Sequence, residues 1–189
     1  PFSALDSQDP EKLWAFLEQY EAKTGGDIMA IPHNGNISNG MMFQLNTVSG
    51  EPVSEAWAQT RIKWEPLYEV TQVKGDGEAH PFLSPDDEFA DYETWDEDNI
   101  GRTVAKKNEM LQYEYGRSAL KLGLKVEQEL GTNPYEFGLL GSTDSHTTLS
   151  TADDDNFYGK FIDSEMVPER MTNKMGGSLW YNWKLAASG

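Results

Sequence analysis

Apolar residues recur at helical spacing in three stretches and bunch into short runs between them. Leu13, Phe16, Leu17 and Tyr20 follow Asp9-Pro10, an N-cap and a first-turn proline, and Gly25-Gly26 end the stretch. Residues 51–63 predict a second, shorter helix with Val53, Trp57 and Ile62 inward. Leu111, Tyr115, Ala119, Leu122, Val126 and Leu130 step by three or four and predict the strongest amphipathic helix, closed by Gly131 and Pro134. The runs are 27–32, 67–73 and 137–141, each of strand length. Lys74-Gly75-Asp76-Gly77 predicts a turn. The stretches 153–155 and 169–178 predict irregular structure, and Trp180-Tyr181-Asn182-Trp183 fits a strand or a helix. Helix and strand segments thus alternate, which points to an α/β fold with a parallel sheet.

Charge sharpens this picture. The 189 residues carry 32 acids against 15 bases, a net −17, so nucleic acid and anionic membrane surfaces are repelled and divalent cations attracted. No apolar run is long enough to cross a membrane. The chain has no Cys, which excludes disulfides, thiolate metal sites and cysteine nucleophiles together and fits a soluble protein of either the cytoplasm or the periplasm. The N-terminal residues lack a signal-peptide pattern. From Ile28 to Gly50 there is no Asp, Glu, Lys or Arg, but Asn34, Asn36, Asn39 and Asn46 are present. Such a segment is either a buried connection or a loop whose Asn side chains meet a polar ligand. Asp86 to Asp98 holds eight acids and no base. Its spacing does not fit an EF-hand, and it predicts a solvated face.

Candidate chemistry gathers at the run ends. His33 follows the first run, Glu69 lies within the second, and Asp144-Ser145-His146 follows the third. Functional groups collect at the C-terminal ends of parallel strands, and imidazole with carboxylate suits Zn, Mn or Fe. Each residue also has a plain structural alternative: a hydrogen-bonded histidine, a Glu69 on a solvated face or paired with Lys74 or Arg61, and a turn-forming Asp144. His80, in a Gly-rich turn before Pro81, is a further candidate ligand. No nucleophile elbow, phosphate-binding loop or dinucleotide fingerprint is present.

Four segments carry a resemblance: Ile31 to Asn36, Glu69 to Asp76, Ser84 to Asp91, and Gly141 to Thr147. They resemble a large bacterial family catalogued as domain of unknown function 3604. That family is in turn similar to the polymerase-and-histidinol-phosphatase (PHP) superfamily of metal-dependent phosphoesterases. The resemblance implies a distorted (β/α) barrel in which His, Asp and Glu at strand ends bind divalent metals and a metal-activated water cleaves a phosphate ester. It implies that Pro32-His33 is the mid-barrel histidine motif, Glu69 the strand-borne acid, and Asp144-Ser145-His146 the Asp-x-His motif. The superfamily's first-strand His-x-His has no counterpart, since the first His here is His33. A full barrel usually takes about 250 residues. The expectation is therefore that residues 1–189 form a single PHP-like domain or an internal or C-terminal piece of one, its barrel incomplete.

Three readings of function follow. The first is a metal-dependent hydrolase acting on a small phosphate ester. Its metal ligands are His33, Glu69, Asp144 and His146, with His80 as a fifth candidate, and Asp144 and His146 are the catalytic pair. Asn34, Asn36 and Lys74 contact substrate, with Arg102 as a further phosphate contact. The second is a binding module that holds a metal or small ligand without turnover. The third is a structural fragment that associates with a missing segment or with itself.

Overall fold

The computed structural model describes residues 2–72, 74–95, 97–142, 144 and 168. Helix α1 spans Pro10–Thr24. The Asp9 side chain accepts from the Glu11 N–H at its start, and Gly25 (φ 70°) closes it in the left-handed conformation. Its inward face is Trp14 and Leu17, with Leu13 and Phe16 partly buried, while Tyr20 is exposed. Helix α2 spans Glu55–Trp64 and is capped by Ser54, whose hydroxyl accepts from the Trp57 N–H. Its buried residues are Trp57, Ala58, Arg61 and Trp64. Trp57 is inward as expected, but Arg61 takes the inward place expected of its neighbour Ile62, because 57, 61 and 64 follow the helical period.

The sheet has three strands, β1 (Leu67–Gln72), β2 (Gly75–Asp76) and β3 (Gly138–Gly141), in the order β2-β1-β3. The expected turn at 74–77 thus includes a short antiparallel strand, with Thr71 opposite Asp76. β3 runs parallel to β1, with Leu67 opposite Gly138 and Glu69 opposite Leu140, and the register shifts between Glu69 and Thr71. The link from β2 to β3 passes through α3 (Asn108–Leu111) and α4 (Gly116–Leu130), as parallel pairing requires. The predicted 111–130 helix is therefore split at residues 112–115, with Leu111 ending α3 and Tyr115 capping α4. The run at 27–32 forms no strand. It is tied by two backbone bonds, Ala30 N–H to the Trp64 carbonyl at the end of α2 at 2.8 Å and Glu69 N–H of β1 to the Pro32 carbonyl at 3.0 Å. Pro32 has no N–H to extend the ladder.

Two buried clusters hold these elements. One joins Trp14 and Leu17 of α1 to Val53, Trp57, Trp64 and Val126. The other joins Phe43, Tyr68, Ala119 and Tyr135, and Leu45 packs against both. Tyr68 approaches the backbone closely: a Cβ on Gly35 would lie 2.3 Å from its hydroxyl and 2.5 Å from the Glu114 carbonyl oxygen. Only glycine fits there. The fold is mixed α/β with a small mixed sheet, and no barrel closes among the described residues. No described helix is long and apolar enough to cross a membrane.

Candidate functional site

Parallel pairing of β1 and β3 brings Glu69 to the segment that follows β3. The Ser142 hydroxyl donates to Glu69 Oε1 at 2.6 Å, and Gln72 Nε2 donates to Oε2 at 3.0 Å. Residues three apart on a regular strand face opposite ways, and the register shift after Glu69 is what lets Gln72 reach it. Gln72 Oε1 in turn accepts from the Lys74 N–H at 3.4 Å. Lys74 Nζ forms an ion pair with Asp144, which stands in the left-handed conformation at φ 54°. Glu69, Gln72, Lys74 and Asp144 therefore form one connected polar line at the C-terminal ends of the parallel strands.

His33 joins this line from the side. The Glu69 N–H bond to Pro32 fixes the chain just before it, and Asn34 leaves in the left-handed conformation at φ 59°. His33 Nδ1 lies 4.0 Å from Glu69 Oε2 and 2.7 Å from Asn34 Nδ2, and its ring is exposed. With Nδ2 donating, Nδ1 is the acceptor and Nε2 carries the ring proton. The buried Asn34 Oδ1 has no hydrogen-bond partner among the described residues. Turned by 180°, the amide would accept from Nδ1–H and leave the Nε2 lone pair open to a ligand.

The remaining expected residues are placed differently. Asn36 is buried, with Nδ2 donating to the Lys74 carbonyl at 3.1 Å and its own carbonyl accepting from Lys106 Nζ at 2.6 Å. The Asn-rich segment is thus in part a buried connection. His80 is buried too, with Nδ1 accepting from the Phe82 N–H at 3.1 Å and its ring edge-on to Tyr115. Arg102 Nε pairs with Asp98 at 3.1 Å. His146 lies outside the described residues. Among those described, no group of three or more His, Asp or Glu is placed to hold a metal ion. Gln72 and Ser142 went unnoticed in the sequence, because a glutamine in a strand and a serine after one carry no signal of their own.

His33 also borders a cleft of about 560 Å³ between the start of α1, helix α2 and the loop at 37–48. Arg61 and Glu65 line it. The Arg61 guanidinium sits 4.8 Å from the Tyr135 ring centre, donates to the Met42 carbonyl at 2.8 Å, and lies 3.1 Å from Glu65 Oε2. Trp14 Nε1 donates to Glu65 Oε1 at 2.8 Å.

The family model described as protein of unknown function (DUF3604) matches residues 1–189. No curated protein matches the chain, and no solved structure does.

Proposed function

For this chain, which belongs to the DUF3604 family, we propose a metal-dependent hydrolase that cleaves a small phosphate ester. The observation that supports it most is the meeting of Glu69 with the segment after β3, through the 2.6 Å Ser142–Glu69 bond, beside His33. Two acids and an imidazole beside the parallel strands are the kind of donor set that Zn, Mn or Fe takes. In this reading His33 and Glu69 hold the ion, and Asp144 and His146 complete the set. The sheet is then part of a larger distorted (β/α) barrel of PHP type. When bound, the metal supplies a Lewis acid and an acidified water. The chain's own residues orient: Ser142 and Gln72 fix the two Glu69 oxygens, Asn34 fixes the His33 ring, and Lys74 offers its ammonium to the phosphate.

One observation favours a second reading, a binding module without turnover. Asp144 is already paired with Lys74, and both Glu69 oxygens are hydrogen-bonded. The test is elemental analysis of the purified chain after exposure to Zn, Mn and Fe, repeated on the His33→Ala/His146→Ala double variant. Near-stoichiometric metal that is lost in the double variant, with chelator-sensitive phosphatase activity, supports the hydrolase. Metal without activity supports the binding module. No metal in the unaltered chain overturns both metal readings.

A further inference from the structure

The cleft beside His33 has features that the polar line on β1 does not use. Its volume, about 560 Å³, lies in the usual range for small-molecule sites. Its rim is apolar and wet: Ile31, Met41, Val48 and Ile100 line it and are all exposed. Its buried part holds Glu65, which is only 7% exposed. Glu65 Oε2 is near Arg61 Nε, yet it accepts no hydrogen bond from any described group, because distance alone does not aim the N–H. That oxygen is closed to solvent and lies 3.1 Å from the guanidinium nitrogen, so Glu65 holds Arg61 in place rather than meeting a ligand. The guanidinium cannot swing away to serve an anion, since it is stacked on Tyr135 and tied to the Met42 carbonyl.

The charges of the lining select the ligand further. Asp9, Glu11 and Glu65 face the cleft against one permanent cation, Arg61, and Arg61 is engaged by Glu65. An anionic group is repelled there, in a chain whose net charge is −17. We propose that this cleft seats the organic part of the substrate: a neutral or cationic alcohol with an apolar body that packs against the exposed rim. That it belongs to a substrate rests on the hydrolase reading above, with His33 bordering both the cleft and the Glu69 site and the phosphoryl end directed toward His33. Binding of the alcohol itself does not depend on that reading.

The experiment uses 2-naphthylmethanol as the neutral probe and 2-naphthoate as its anionic counterpart. Each is titrated into the full chain with chelator present, and binding is followed by saturation-transfer NMR and tryptophan fluorescence. The expected result is saturable one-to-one binding of the alcohol, with naphthoate weaker by about tenfold or more. Met41→Asp/Val48→Asp, at two exposed rim positions, is expected to weaken the alcohol by about tenfold or more with an unchanged circular dichroism spectrum. Absence of saturable binding, equal binding in the double variant, or tighter binding of naphthoate overturns the proposal. Because no metal is present, failure here leaves the metal analysis of His33 and His146 untouched. A failed metal analysis likewise leaves a positive result here standing as a ligand site.

Discussion

Lys106 Nζ lies 2.7 Å from Glu114 Oε2 and 2.6 Å from the Asn36 carbonyl oxygen, with both side chains buried. One ammonium thus ties the α3–α4 junction to the turn just beyond His33. Burial pushes the Glu114 carboxyl above its ordinary range, and Lys106 and the Gly40 N–H pull it back. Lys106→Met strands a buried carboxylate and is expected to cost about 3–5 kcal/mol. Lys106→Met/Glu114→Leu should recover part of that loss, the Gly40 N–H and Asn36 carbonyl staying unpaired. Urea unfolding of the two single variants and the double variant measures the coupling. A double variant no better than Lys106→Met alone contradicts this account.

Gly35 and Gly26 should respond in opposite ways to alanine. At Gly35 the new Cβ meets the Tyr68 hydroxyl at 2.3 Å and the Glu114 backbone oxygen at 2.5 Å, and neither can retreat without moving the core. A loss of about 3 kcal/mol or more is expected. At Gly26 the nearest atom is Thr24 Oγ1 at 3.6 Å, so alanine should be neutral or gain about 0.4–1 kcal/mol by restricting the unfolded chain. Thermal midpoints of the two variants decide it.

Asp76 makes stability depend on pH. Burial is the main cause that raises its carboxyl from 3.8 to about 6, against the opposing bonds from the Ala79 and Glu78 N–H groups. The folded state therefore holds the proton more tightly than the unfolded state does. The resulting stabilisation is fully present below pH 3.8 and fades as pH rises through about 6. Its size is on the order of 1–3 kcal/mol. Asp76→Asn keeps an oxygen for the Ala79 N–H but cannot ionise. It should flatten this group's share of the pH dependence between pH 4 and 7, read from denaturant midpoints across that window, and an unchanged slope would refute the assignment.

Ser142→Ala separates support from ligation at Glu69. Loss of the 2.6 Å bond should cost about 1 kcal/mol in stability. On the metal reading it should also weaken metal affinity by about 10–100-fold while stoichiometry is kept, whereas Glu69→Gln should lose the metal. Titration with a chelating indicator distinguishes the two. Identical affinities in Ser142→Ala and the unaltered chain would remove Ser142 from the site.

How far the sequence disclosed this arrangement depends on whether the signal was local. The α4 stripe through Ala119 and Val126 was legible because helical spacing and burial coincide there. Strands β1 and β3 were legible from compact apolar runs bounded by turn residues. Arg61 was not, because its burial depends on Phe43, Trp57 and Tyr135 surrounding a guanidinium, and no sequence window contains all of them. The 27–32 run has strand composition without forming a strand, because apolar content says nothing of whether a ladder partner lies alongside. Its composition suits a strand, yet Pro32 and the geometry beside β1 leave it with two backbone–backbone bonds. Among the candidate site residues, Glu69 could be proposed from type and position. The role of Gln72 needed the register shift, which only the paired strands reveal.

The Ser142–Glu69 bond spans 73 residues of chain. Closing a loop of that length costs about 4 kcal/mol in chain entropy before any contact repays it. β1 can pair with β2 at once, across a tight turn, but its other edge must wait for β3. The aromatic clusters join residues still farther apart, Trp14 to Val126 and Phe43 to Tyr135, so the polar line around Glu69 assembles together with them and not before. In stopped-flow refolding, destabilising substitutions in β3 should therefore act on the same phase as substitutions in the clusters. A chain stalled before that step would hold β1 against β2 while exposing the other edge of β1, the state most open to pairing with a neighbour.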